Sequence, residues 1–250
     1  RVAITQAGFI AGSVIATLHM PWWIAQPNLG SVSLVSELGL TAAIIVQHTI
    51  LAAIGWASWA WQGRMLGSRH KPAKFRTPLA IRIVQGPWPL IAGAVGLAAL
   101  NIATLAVSGH PWSITFGFSL WGGKLLALSG VDVAAWEFWT WPYPARALAG
   151  SVLGEDTSVM NFGIMLGALL AAQLAWKFAP DFSIPMRPLL AAIIGGLLLG
   201  YGARLAFGCN IGALISGVAS GSLHGWLWLV CALAGNWAGV KLRPYFALHT

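Results

Sequence analysis

Apolar residues gather in six long runs, near 2–18, 38–61, 83–107, 158–177, 188–206 and 225–240. None alternates apolar with polar positions, and all are longer than an ordinary strand, so each predicts a helix rather than a strand. Two further runs, 112–130 and 207–223, are nearly as apolar but are broken by Gly, with Pro111 at the head of the first. A bilayer core of about 30 Å calls for about 20 such residues per crossing, which most of the unbroken runs supply or approach. The pattern therefore predicts an all-α membrane protein with about six transmembrane helices and two re-entrant, broken-helix segments. The 250 residues read as one transmembrane domain.

Composition sharpens this. The chain is 58% hydrophobic and only 8% charged, with mean hydropathy +0.75 and 15 Trp. A soluble domain is about 25% charged, so a water-soluble fold is excluded. Lipid leaves backbone groups unsatisfied unless they pair internally, which allows helices or a closed barrel, and the lack of alternation rejects the barrel. The chain opens at Arg1, inside an apolar run and with no cleavage site in view, so a preceding portion is expected. Cys209 and Cys231 stand 22 residues apart in apolar surroundings and show no metal-ligand spacing, so neither a metal nor another cofactor is expected.

The formal charge of +8 invites a nucleic-acid reading, but its placement opposes it. Arg64, Arg69, Lys71, Lys74, Arg76 and Arg82 crowd into 62–82 without an acid, which marks a cytoplasmic basic loop in contact with lipid headgroups. Alternation of the runs then leaves 19–37 outside. It also leaves 131–157, rich in acids and Trp, as a periplasmic interfacial loop with Trp136, Trp139 and Trp141 at headgroup level. Lys177, Arg187, Lys241 and Arg243 fall inside. This scheme closes only if both broken segments enter and leave on one side.

The first broken segment reads "GHPWSITFGFSLWGGKLLALSG" and the second "GYGARLAFGCNIGALISGVASGSLHGW". The former resembles a phosphate-binding loop, but five residues separate Gly117 from Gly123 where the motif has four, and Leu125 stands where Ser or Thr is required. Lys124 and Arg204 are the two cations expected at membrane depth, where an ionisable group marks a functional site unless it snorkels or binds helix-end carbonyls. With no acid close by in sequence, both favour an anion. Gly196 with Gly200, Gly217 with Gly221, and Gly235 with Gly239 have the spacing of close helix packing. After Gly208, the residues Gly212, Ser216, Ser220 and His224 recur every four positions, predicting one polar stripe on a short helix. Asn210 is the expected N-cap of that helix. Cys209 then sits beside the positive end of the helix, where a thiol meets anions. Discontinuous helices aiming their ends at the membrane interior are a transporter device. The apolar surroundings of Cys231 suit an inert residue.

At these residues the chain resembles the YeeE/YedE family of bacterial inner-membrane proteins, whose members include thiosulfate transporters. The resemblance is most specific at "GARLAFGCNIGA" and extends over "GPWPLIAGAVGLAALN", "GHPWSITFGFSLWGGKL" and "DTSVMNFGIMLGALLAA", about 86–244. Over 1–85 it is limited to hydrophobic character and the "PWW" loop. It implies two pseudo-symmetric halves, here 83–130 and 158–244, whose short helices meet at a narrow waist. Thiosulfate would pass there by S–H···S contacts, with Cys209 as relay thiol, Gly208 and Gly212 allowing close backbone approach, and Asn210 presenting the helix end. A Gly-Cys segment normal for the first half is missing, and its place is expected upstream of Arg1.

The expected function is thus an inner-membrane permease, not an enzyme, for a small sulfur-containing anion, thiosulfate first among them. Cys209, Arg204, Asn210, Gly208, Gly212, Ser216, Ser220, His224 and Lys124 are the expected path. The family context implies a soluble sulfur-carrier protein as partner at 62–82. Two readings stand beside it: a membrane thiol or sulfane-sulfur oxidoreductase, which needs Cys209 and Cys231 to meet or one of them to become persulfidated, and a non-transporting scaffold. Selenium analogues also remain open as cargo.

Overall fold

The structure, a computed structural model, describes residues 1–28, 30–66, 79–86, 88–179 and 184–248. Its long helices are α1 (Val2–Ile24), α3 (Leu40–Leu66), α5 (Leu90–Ser108), α9 (Asp156–Leu174), α10 (Met186–Leu205) and α12 (Leu223–Leu242). Shorter ones are α2 (Leu34–Leu38), α4 (Leu79–Gln85), α6 (Thr115–Leu128), α7 (Glu137–Thr140), α8 (Pro142–Ala149) and α11 (Ser216–Ala219). Among the described residues the only extended pairing is an isolated bridge, Ser33 to Ser222.

Among the described residues, five helical stretches are long and apolar enough to cross a membrane: Val2–Ile24, Leu40–Arg64, Leu90–Ser108, Asp156–Leu174 and Met186–Ala219. The chain is a multi-pass membrane protein. The expected sixth run, 225–240, is the 20-residue α12, whose apolar content is diluted by His224 and Asn236. The run expected at 83–107 is broken in two, because Gly86 takes a left-handed φ of 68° and Pro89 caps α5. Most of 62–82 lies outside the described residues.

The tightest packing is between α1 and α10, which run parallel. A methyl group on Gly12 would strike the Leu197 carbonyl, and one on Gly200 would strike the Phe9 carbonyl. Gly196 meets Thr5 and Gly8 in the same way. Ser13 Oγ donates to the Gly200 carbonyl at 3.2 Å, a bond that only such close backbones permit. The Gly196/Gly200 spacing thus does what the sequence predicts, and a Cβ on Gly217 would lie 3.1 Å from the Gly225 Cα. Gly235 and Gly239 meet nothing within 4 Å.

Within 131–157, where the sequence predicts an interfacial loop, a few side chains reach the core. Val133, Phe138 and Trp139 are buried with Met20, Phe116 and Leu120 in one apolar cluster. Trp139 is 1% exposed, so protein and not solvent surrounds its ring. Its ring fills the space beside Gly123, where a methyl group would come within 2.8 Å of it. The bare backbone of α6 is the reason this indole can be swallowed.

Candidate functional site

The site grows from the way α10 stops. Ala206 ends the helix, Phe207 follows at φ 51°, and Gly208 N–H reaches back to the Ala203 carbonyl at 3.0 Å. Phe207 N–H bonds the Arg204 carbonyl at 3.2 Å, completing a Schellman turn. A left-handed φ is natural for Gly and rare for an aromatic residue, so Phe207 is held there against its preference. Gly208 is required for another reason: a Cβ on it would sit 3.0 Å from the Gly212 carbonyl carbon.

Beyond the turn, Cys209 is extended (φ −123°, ψ −158°) and half-buried, with a free thiol. Its carbonyl accepts from Ala213 N–H at 2.8 Å and from Leu214 N–H at 3.3 Å, opening a π-helical segment over Asn210–Ile215. Such wide turns often mark functional sites. The cap position therefore belongs to Cys209 and not to Asn210, whose side chain is exposed and makes no cap bond.

The expected stripe does not survive as one helix face. Gly221 at φ 76° and the bond from Ser222 N–H to the Gly217 carbonyl (2.9 Å) end α11 in a second Schellman turn. Ser216 is buried with its hydroxyl unpartnered. Ser220 is exposed and donates to the Gly217 carbonyl at 3.0 Å. His224 belongs to α12, and its Nε2 donates to the Ala206 carbonyl at 2.9 Å, bracing the end of α10. Gly212 faces the first broken segment, where a Cβ would lie 3.8 Å from Ser113 Oγ.

Arg204 and Lys124, alike on sequence grounds, differ sharply. Lys124 Nζ donates to the carbonyls of Leu148 and Gly150, both at 2.7 Å, and so caps the C-terminus of α8. Arg204 is 7% exposed and has no acidic partner among the described residues. Its Nε and Nη1 are buried with no hydrogen-bond acceptor. Around its guanidinium carbon stand the rings of Phe116 at 5.8 Å, Phe138 at 5.6 Å and Phe207 at 5.6 Å. Two of these rings come from the matching Phe-Gly pairs of the broken segments, Phe116-Gly117 and Phe207-Gly208.

A carboxylate that sequence reasoning left in a loop also proves buried within the protein. Glu155 is buried at the head of α9, taking the N–H and hydroxyl groups of Thr157 and Ser158 at 2.8–3.1 Å. Tyr143 donates to it at 3.0 Å and packs its ring 4.9 Å from Phe116. Burial, and then the Glu155 charge, push the Tyr143 phenol up. The "GEDTS" stretch carries a legible signal for this: an acid followed by Thr and Ser is a helix start.

Next to the break lies an open groove of about 910 Å³, lined among others by Asn28, Val32, Phe207, Ser222, His224 and Trp226. Among the described residues no three His, Cys, Asp or Glu side chains gather as metal ligands would.

Comparison with known proteins agrees with this picture. The family described as sulphur transport matches residues 1–238, so the match includes α1 and α3, which the sequence motifs alone leave aside. The probable transporter YedE of Escherichia coli (strain K12) is 33% identical over 165 residues, 64% of this chain and 40% of that protein. The thiosulfate transporter TsuA of Spirochaeta thermophila is 30% identical over 211 residues, 73% of this chain and 59% of that protein. A glycerol-3-phosphate acyltransferase of Shouchella clausii is 32% identical over 143 residues, 56% of this chain and 60% of that protein. The chain thus spans 40% to 60% of the length of these relatives. No solved structure matches.

Proposed function

This chain belongs to the sulphur-transport family, and we propose that it forms the membrane path of a permease for a small sulfur oxyanion, thiosulfate first among them. The observation that carries the reading is Arg204: a guanidinium buried at the broken end of α10, without an acid and with unsatisfied N–H groups. A buried cation left unpaired is costly, and an anion in transit supplies both the missing charge and the missing acceptors. Five residues on, past the turn that Gly208 allows, Cys209 offers a thiol at a helix break whose Gly212 lies near the first broken segment. A weak S–H donor suits a polarizable terminal sulfur, while the guanidinium suits the oxygens.

Within this reading Arg204, Gly208, Cys209 and Gly212 form the constriction, Ser216 lies behind it, and His224 braces it. Lys124 is committed to helix-end carbonyls and lies off the path. Asn210 and Ser220, both exposed, stand at its rim. The resemblance to TsuA, which is named a thiosulfate transporter, supports the choice of cargo. Passage is inward and drained by metabolism, with a soluble sulfur carrier receiving the anion at the cytoplasmic face. The acyltransferase likeness supports no enzymatic role of its own, since it covers less of the chain than the family match does.

The test is uptake of labelled thiosulfate by cells lacking other sulfur importers, at matched membrane expression of the full-length protein and its Cys209→Ser form. Loss of uptake in Cys209→Ser places the thiol on the path. Equal uptake by both forms, or none by either, rejects the relay.

A further inference from the structure

Three rings surround Arg204, and they are not equivalent. Phe116 and Phe138 belong to the buried core, whereas Phe207 is 58% exposed and lines the groove of about 910 Å³. Phe207 alone has the guanidinium on one side, at 5.6 Å, and open space on the other. Behind it, Arg204 Nε and Nη1 have donors with nothing to receive them. In front of it the groove offers Ser222, Asn28 and His224, while the nearby Trp226 Nε1 is another buried donor without an acceptor. A dry cage that leaves a cation's donors empty is the closed state of a site whose acceptor arrives from outside.

We propose that Phe207 is the door of the Arg204 site and sets which anions reach it. Closed, its ring shields the guanidinium by a cation–π contact and keeps water out. Swung into the groove, it uncovers the Nε and Nη1 donors for a small anion waiting there. An ion that spreads its charge over sulfur and oxygen sheds its hydration more readily than sulfate, so a narrow apolar doorway favours it. The hinge is local. Phe207 is held at φ 51° by the turn, Gly208 follows it, and its preceding carbonyl is pinned by His224. The proposal rests on Arg204 being the cation of the path, and it adds a residue that no charge or thiol consideration selects.

Glycine accepts the left-handed conformation freely, so Phe207→Gly removes the ring without straining the turn. The measurement is the rate at which phenylglyoxal modifies Arg204 in the purified full-length protein in detergent, read by mass spectrometry of the digest, with Arg146 as internal reference. Relative to Arg146, Phe207→Gly should raise the Arg204 rate about tenfold, while Phe207→Tyr, which keeps a ring, should leave it within about twofold. Thiosulfate should slow the reaction in Phe207→Gly. An unchanged Arg204 rate, or a rise shared equally by Arg146, overturns the door. If the rate rises as expected but the native protein takes up no labelled thiosulfate, the door stands and the permease reading falls.

Discussion

Replacing Gly200 by Ala tests the frame that holds Arg204 in place. In a helix interior, Gly to Ala ordinarily gains about 0.5–1 kcal/mol from backbone entropy. Gly167 of α9 is such a position, with nothing within 4 Å of its missing Cβ. At Gly200 the new methyl group would run into the Phe9 carbonyl and stand 2.7 Å from the Phe9 carbonyl carbon and 2.9 Å from its Cα. Carbon contacts want about 3.5–4.0 Å, so α1 and α10 must part by about 1 Å, and backbone cannot rotate aside as a side chain does. Overpacking of this kind costs about 1–3 kcal/mol, which exceeds the entropic gain. The net is a loss of about 1–2 kcal/mol, or a fall in Tm of several degrees for a domain of this size. Thermal unfolding followed by tryptophan fluorescence in detergent reads it. Gly167→Ala should be as stable as the native protein or more so. The two positions also differ in function, because Gly200 lies one turn below Arg204 on the same face of α10. Gly200→Ala should therefore lose uptake beyond what its Tm loss explains. Equal Tm values for the two variants would refute the close-packed pair and with it the account of how Arg204 is positioned.

Two further predictions concern the elements around the site. Lys124→Met removes two charge-assisted bonds to the end of α8, and for a half-buried ammonium the cost is about 2 kcal/mol; a Tm change no larger than that of exposed Lys177→Met would show the cap to be idle. Tyr143 has its pKa raised by burial and by Glu155, so the unfolded chain ionises first, near pH 10. The stability this brings is fully present below about pH 10 and is lost as pH rises beyond it. Tm measured across alkaline pH should accordingly fall more steeply for the native protein than for Tyr143→Phe, and equal slopes would rule the linkage out.

Much of the fold can be read from apolar runs and glycine spacing, since both follow from local chemistry. Gly196 and Gly200 announce a close helix contact wherever the partner lies, though nothing local says that the partner is α1. The burial of Trp139 is invisible for the same reason: it depends on Gly123 of α6 leaving room. The predicted Asn210 cap fails because side-chain capping preference is a small term. The turn is set instead by Gly208, which must be small, and by the carbonyls it frees. The stripe of Gly212, Ser216, Ser220 and His224 fails at Gly221, whose left-handed φ ends the helix; a Ser-Gly pair at that point is a readable stop signal. Glu155 reads as a loop acid until Thr157 and Ser158 are seen to be its donors.

Lys124 and Arg204 show where sequence reasoning must stop and geometry decide. Each is a cation in an apolar segment, and both are expected to attract anions. An ammonium has three donors on a flexible stem, so two carbonyls at the end of a short helix go far toward satisfying it. A guanidinium carries five donors in a rigid plane, and phenylalanine rings offer those donors no lone pair to accept them. Three rings around Arg204 therefore offset part of the cost of burying the charge while leaving Nε and Nη1 without acceptors. A purely structural cation has no reason to be held this way, because a single carbonyl or carboxylate would stabilise it further. An ion that must be bound and then released does have a reason: a permanent acceptor would compete with it at every passage. The emptiness of those donors, five residues before Cys209, is thus the feature on which the proposed path rests. It also predicts that giving Arg204 a fixed acid partner, by Phe207→Glu, should abolish uptake while the fold persists; uptake that survives such a partner would mean that the anion never relied on Arg204.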